Sequence, residues 1–505
     1  MLVLKLLQKY FHWHIHLMSD TSASDSKNMQ DLLNQTGPGF CLAKWSQVTM
    51  HLGNGLTHSC HHPIPHKISL EELSQNPTAL HNTEHKKQQR KDMLNGKRPK
   101  ECDFCWRVED NGEISDRALK SMQPWSSVDY DKIKNSSGDE NIDPRYVEVN
   151  FTRTCNFACA YCGPNFSSKW DQDIKQNGPY ILGETYFNGI DPSVKYYNNN
   201  EDNPYIEAFW KWFPDMVGKL HTFRITGGEP LLSKDTWKVL DYLVDNPQPN
   251  LAFAINTNGC PPGDQWTTFI EKINILTERG CVKRFDLYTS AEAYGDRNDY
   301  IRDGMNWDLF RKNIEEFLEK TANTQVTFMS AFNILSLSSF SQLLIWVKEL
   351  KEKHSYNGLF DWFESEGLNP LNPGKPHKER KVNKIRGRVS IDVPYVRYPT
   401  FLDASIATLD MIDKWMLPAA NYMFNNTNVG DWFTNTSFQE YETVKLRRNI
   451  IDMVMKAKEE PTADIIRRRK EFAKFVDEYD RRRSKNFLQT FPEYEEFLNL
   501  CRSYQ

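Results

Sequence analysis

Three cysteines, Cys155, Cys159 and Cys162, stand in a C-x3-C-x2-C spacing directly after a short β-like run. Three thiolates on one tight loop can ligate three irons of a [4Fe–4S] cluster and leave the fourth open. An open iron binds a ligand, whereas a fully thiolate-ligated cluster mainly moves electrons. The same trio with a remote fourth ligand could instead hold a structural zinc. Further on the chain reads Arg224-Ile-Thr-Gly-Gly-Glu-Pro-Leu-Leu232. Two glycines at a strand end let the backbone approach a ligand closely and expose its amide and carbonyl groups. A second set, Cys41, Cys60, Cys102 and Cys105, ends in a C-x2-C pair. Taken bare, it suits zinc or an iron–sulfur cluster equally. His58, His61, His62 and His66 crowd these ligands; they read as solvated loop histidines, with a ligand swap as the alternative. Cys260, Cys281 and Cys501 stand alone and read as packing thiols.

The elements that must position these residues begin at Tyr146. Short β-like runs at 146–152, 222–226, 251–256, 284–289, 325–332 and 359–364 alternate with amphipathic stretches such as 235–244 and 307–321. Strands alternating with helices predict a parallel α/β sheet or barrel with active-site groups at the strands' C-terminal ends. The long connection between Gly163 and His221, with Tyr196-Tyr-Asn-Asn-Asn200 at its middle, predicts an insertion lying over the site. We divide the chain into a disordered or mis-started leader (1–27), a small Cys-rich N-terminal module (28–145), a core (146–395) and a helical C-terminal extension (396–505). The module is poor in apolar runs, so its cysteines are expected to staple it. In the extension, 403–417, 438–458 and 463–479 read as helical, and the basic clusters Arg467–Lys470 and Arg481–Arg483 read as solvated faces paired with acids.

Composition excludes several classes. A net charge of −4 over 505 residues argues against a nucleic-acid partner, although the basic clusters and the 375–388 stretch are where one would bind. Ten cysteines are too sparse for a secreted disulfide scaffold and fit a reducing cytoplasm. Residues 1–18 are apolar, but histidines and Trp13 interrupt them and no small-residue cleavage site follows, which argues against a signal peptide. No run of about 20 apolar residues occurs elsewhere, so no membrane span is expected.

The cysteine loop, with Tyr161 before its last cysteine, and the Gly-Gly-Glu-Pro segment together resemble the radical S-adenosylmethionine (SAM) superfamily. The resemblance covers 146–395 and implies a partial (β/α)6 TIM-like barrel. It implies that Cys155, Cys159 and Cys162 ligate a [4Fe–4S] cluster whose open iron is chelated by the SAM amino and carboxylate groups. Gly227, Gly228, Glu229 and Pro230 would border the methionine amino group, and Tyr161 the adenine. Asn258 lies at a strand end similar to the family's T-N-G. Ser290 matches a serine near the ribose, although Ala291-Glu292 stands where Asp-Gly is usual. Arg302 occupies the place of an arginine that contacts the SAM carboxylate, and Asn333 the place of a ribose contact. For these last four, ordinary turn or helix-start roles are the competing reading.

The order Cys41, Gly55-x4-Cys60, Cys102-x2-Cys105 is similar to the twitch auxiliary-cluster module, a shortened relative of SPASM, which usually follows the barrel rather than preceding it. It implies a second [4Fe–4S] cluster. An enzyme of this kind passes an electron to the SAM sulfonium, breaks the C5′–S bond to give methionine and a 5′-deoxyadenosyl radical, and abstracts hydrogen from a substrate. The auxiliary cluster would accept the remaining electron. Expected partners are an electron donor such as flavodoxin or ferredoxin and a peptide, protein or small sugar-like substrate held by the 166–215 insertion. The alternatives are a non-catalytic iron–sulfur electron-transfer protein and a radical SAM protein that modifies nucleic acid.

Overall fold

The structure is a computed structural model that describes residues 20–355, 387–427, 436–457 and 460–504. Its frame is one open sheet of nine strands in the order β3-β2-β1-β4-β5-β6-β7-β8-β9. These are β1 (Gln47–His51), β2 (Leu56–His58), β3 (His66–Lys67), β4 (Tyr146–Asn150), β5 (Thr222–Thr226), β6 (Gln248–Asn256), β7 (Val282–Thr289), β8 (Thr324–Met329) and β9 (Val389–Asp392). From β1 through β4 to β9 every neighbour pairs in parallel; only the β1–β2 and β2–β3 pairs are antiparallel. β4 to β9 are the six parallel strands of the expected partial barrel, left unclosed, and β1 adds a seventh at its edge.

Strand side chains alternate between two environments. Phe223, Phe253 and Phe285 are fully buried against the helices, and their rings run in sequence with centroids 5.9 and 5.5 Å apart. Burying each contributes about 1.5–3 kcal/mol. The opposite face is polar. Arg224 donates to Asn256 Oδ1 at 2.7 Å, lies over the Tyr288 ring at 4.0 Å and faces Glu148 at 3.9 Å. The helices obey local signals: Trp307–Lys320 is capped by Asn306, which accepts from Leu309 N, and buries Trp307, Phe310, Ile314 and Phe317 along one stripe.

Several expectations are corrected. The 28–145 segment has its own apolar cluster around Phe40, Trp45, Trp106 and Tyr130, yet it is not held by its cysteines alone. Its β1 pairs with β4 from Gln47↔Tyr146 to His51↔Asn150, so it extends the core's own sheet. A helix, Asp20–Thr36, begins inside the stretch 1–27 read as a disordered or mis-started leader. The apolar stretch 1–18, the strand expected at 359–364 and most of the basic 375–388 stretch fall outside the described residues, and the sixth parallel strand of the core is β9.

The basic clusters are ion-paired as expected but not solvated throughout. Arg469 is buried and donates to the Ile406 and Ala407 carbonyls. Arg482 and Arg483 have side chains only 1% and 7% exposed. Both pair with Asp173, and Arg483 also with Asp303. Among the described residues no helix is long and apolar enough to cross a membrane.

Candidate functional site

The cysteine loop leaves the C-terminal end of β4 and is held from four sides. Ala158 N donates to Asp303 O (2.8 Å) and Ala160 N to Ile301 O (2.7 Å). Trp170 Nε1 donates to Cys159 O at 2.8 Å, and Asn156 Nδ2 to Cys260 O at 2.9 Å. Burial raises all three thiols, Cys155 to about 12, and the charges of Cys155 and Cys159 add to the rise at Cys162. At Cys159 the Arg302 guanidinium opposes that rise, and Phe157 N donates to Cys155 Sγ at 3.4 Å. Three buried or half-buried thiols gathered on one loop, next to a cation and an amide donor that favour the thiolate form, fit ligation of an iron cluster.

Gly227 and Gly228 lie against the start of this loop. Gly228 N donates to Thr152 O (3.1 Å) and Glu229 N to Thr154 O (2.7 Å). A Cβ on Gly227, whose φ is +137°, would come within 2.7 Å of Thr152 O, and one on Gly228 would collide with the Thr154 and Arg153 carbonyls. Glycine is required at both positions by the approach of two backbones. Pro230 opens a buried 3-10 turn.

Glu229 is held by the strand ends. Its fully buried carboxylate accepts from Leu231 N (3.0 Å), Thr257 Oγ1 (2.8 Å) and Asn258 N (2.7 Å), so it ties the ends of β5 and β6 together. Burial nevertheless lifts it to about 7. Asn258 latches the cysteine loop through Nδ2 to Asn156 Oδ1 at 2.7 Å. Asn333 is likewise spent locally: it caps Leu335 N at 2.9 Å and donates to Ala331 O at 2.8 Å. Ser290 is half-buried just beyond the end of β7.

Four buried polar atoms near the strand ends have no partner: Asn150 Oδ1 at the end of β4, Thr289 Oγ1 at the end of β7, Ser330 Oγ just after β8, and Arg302 Nε. Unsatisfied buried polar groups are costly, and the four that lie near the C-terminal strand ends, among others elsewhere in the described residues, fit a polar ligand with hydroxyl and carboxylate groups. Asn150, Thr289 and Ser330 were not legible as site residues. They sit in ordinary strand sequence, and only the fold places them together.

The insertion contributes as well. Tyr186 donates from its hydroxyl to Tyr161 O at 3.3 Å, and Arg153 lies 4.5 Å from the Tyr196 ring. A cavity of about 580 Å³ opens between it and the core, lined among others by Phe151, Tyr197, Asn203, Trp210 and Lys238.

The four N-terminal cysteines lie within electrostatic reach of one another, and burial raises Cys41, Cys60 (to about 12), Cys102 (to about 11) and Cys105 (to about 12). Lys44, with its side chain 2% exposed, is ion-paired to Glu101 beside them; burial opposes its charge, and the neighbouring Cys102 and Glu101 more than offset this and raise its pKa. The nearby histidines are mostly not solvated. His62 is stacked on Phe104 (3.9 Å) and bonded to Asp116 (2.8 Å), His66 is bonded to Thr83 (2.9 Å), and His58 to the Cys60 carbonyl. Only His61, itself near Asp116 at 3.1 Å, is largely exposed.

Residues 149–344 match the family model described as Radical SAM superfamily. This segment is a radical SAM domain. Two curated relatives are both named GTP 3′,8-cyclase. The one from Nautilia profundicola is 28% identical over 115 residues, 23% of this chain and 27% of that protein. The one from Pasteurella multocida is 22% identical over 226 residues, 43% of this chain and 55% of that protein. The chain therefore spans about a quarter and about half of the lengths of the curated relatives it matches. No solved structure gives a significant match. Within the radical SAM domain fall the cysteine loop, the Gly-Gly turn and all four unpartnered strand-end atoms.

Proposed function

We propose that the chain is a radical SAM enzyme that abstracts hydrogen from a polar substrate held over the strand ends. The carrying observation is that the cysteine loop, the Gly227–Gly228 backbone and the unpartnered atoms of Asn150, Thr289, Ser330 and Arg302 belong to the same end of one sheet. Cys155, Cys159 and Cys162 would hold the cluster, and Gly227 and Gly228 would border the methionine end of SAM. With both bound, the site supplies a 5′-deoxyadenosyl radical. The protein's own part is to bind, orient and exclude water. A donor such as flavodoxin or ferredoxin, in the cytoplasm, would reduce the cluster.

The N-terminal set is read as an auxiliary [4Fe–4S] site. Four buried or half-buried cysteines with buried Lys44 supplying positive charge beside them suit an anionic thiolate-ligated cluster. This cluster would accept the electron left on the substrate, in a module spanning 28–145.

The substrate reading is a peptide or protein reaching the mouth past the 166–215 insertion. A small nucleotide-like or sugar-like molecule is the second reading, supported by the polar face around Arg224, Glu148 and Asn256 and by the name the two relatives carry. The test is to reconstitute the full chain anaerobically, reduce it with dithionite and quantify 5′-deoxyadenosine formed from SAM. Product in the wild type and none in Cys159→Ala supports the reading; fully iron-loaded protein that forms none overturns it.

A further inference from the structure

Three side chains from separate segments meet beside the cysteine loop. Tyr161, on the loop, donates its hydroxyl to Glu292 Oε1 at 2.8 Å. Arg302 Nη1 donates to the Tyr161 oxygen at 2.6 Å and lies 3.3 Å from each Glu292 carboxylate oxygen. Glu292 is completely buried and Arg302 nearly so. The backbone around Glu292 is fixed too, because Glu292 N and Ala293 N both donate to Asn298 Oδ1, at 3.0 and 3.2 Å. Ala331 N, next to the unpartnered Ser330, donates to the same carboxylate at 3.4 Å.

Arg302 is thus held on one side only. Its Nη1 is fully spent, while its Nε is buried and bonds to nothing. A guanidinium is a rigid planar fork, so fixing one nitrogen fixes the direction of the others. Removing the partner of a buried charge releases that constraint and leaves the charge uncompensated. The same guanidinium acts on Cys159, so its position bears on the cluster as well as on any anion that arrives.

We propose that Glu292 is a positioning residue of the SAM site: it anchors Arg302 and Tyr161 so that the unspent Arg302 Nε–H meets the ligand's carboxylate and the cysteine loop keeps its shape. This rests on the radical SAM reading above. Glu292 touches neither ligand nor reacting atoms; it acts through its two partners.

The experiment uses the reconstituted full chain carrying Glu292→Gln, Glu292→Asp or Tyr161→Phe. Three quantities are read: iron content, SAM affinity by equilibrium dialysis, and the EPR spectrum of the dithionite-reduced protein with and without SAM. Glu292→Gln is expected to keep wild-type iron, bind SAM roughly tenfold or more weakly, and show an altered SAM-induced spectrum. Glu292→Asp recovers part of the affinity. Tyr161→Phe removes a single oxygen, tests the network if Glu292→Gln does not fold, and is expected to weaken SAM binding severalfold. Wild-type affinity and spectra in Glu292→Gln overturn the assignment, as does wild-type behaviour of Tyr161→Phe where Glu292→Gln is insoluble. If the wild type itself binds no SAM, the radical SAM reading fails; if it binds and the variants match it, the Glu292 assignment alone fails.

Discussion

Tyr479, in the helix Ala463–Arg483, donates its hydroxyl to the carbonyl of Ala158 in the middle of the cysteine loop, at 3.3 Å across a separation of 321 residues. The same oxygen is 3.2 Å from Tyr300 O, so one phenol bridges the cysteine loop and the segment before Arg302. Arg483 lies 4.0 Å from the Tyr479 ring and 4.6 Å from Trp170, whose indole holds Cys159 O. The C-terminal extension is therefore part of the wall behind the cluster loop.

Tyr479→Phe removes one shared donor and should destabilise the apoprotein by about 1 kcal/mol. Tyr479→Ala leaves a cavity behind the loop and should cost about 3–5 kcal/mol. Urea unfolding of the apoprotein measures both. The loss should also appear as faster iron release to a chelator from Tyr479→Ala than from Tyr479→Phe; equal release rates in the two variants and the wild type contradict the structural role.

Gly228→Ala places a methyl against the Thr154 and Arg153 carbonyls, which are backbone and have no rotamer to yield. The turn must move, at a cost of about 1–3 kcal/mol. The expected result is a lower melting temperature and reduced iron retention at the cysteine loop. A variant with wild-type iron and melting temperature shows that the two backbones do not approach so closely.

How much of this was legible in the sequence depends on how local the signal is. The cysteine loop, the Gly-Gly turn and strands β4 to β8 follow from spacing and period-2 alternation, which a short window contains. Gln47-Val-Thr-Met-His51 alternates polar and apolar residues too, but it stands alone in a polar segment, and its place beside β4 comes from long-range pairing. Arg482 and Arg483 looked solvated because a charge run usually is; only the fold brings Asp173 and Asp303 to them. Glu229 was read only through the resemblance of its Gly-Gly-Glu-Pro segment, and the three donors from the β5 and β6 ends that its carboxylate accepts from are brought to it by the fold. Glu292 stood out only as a departure from the usual residues, and its partners are 131 residues away at Tyr161 and ten away at Arg302.

His221, at the foot of β5, donates its backbone N–H to Arg145 O and pairs Nδ1 with Thr222 Oγ1 at 2.9 Å. Burial first, and then Lys283, Arg284 and Arg145, lower its pKa from 6.5 to about 4. A base held below its unfolded pKa gives stability that is complete above about 6.5 and is lost as pH falls toward about 4. The urea midpoint should therefore drop between pH 7 and pH 5, and His221→Gln should drop less over the same interval. An identical drop in both proteins removes His221 from the account.

Iron counting tests the N-terminal set. Two clusters require about eight irons per chain, falling to about four in Cys102→Ala/Cys105→Ala. Four irons and one zinc in the wild type would remove the auxiliary electron acceptor.

On the proposed function, the iron left open by Cys155, Cys159 and Cys162 binds SAM. EPR of reduced Cys102→Ala/Cys105→Ala, in which only that cluster remains, tests it most directly. Adding SAM should change the g-values of the reduced cluster. A spectrum that is unchanged at saturating SAM, in protein carrying four irons, contradicts the claim.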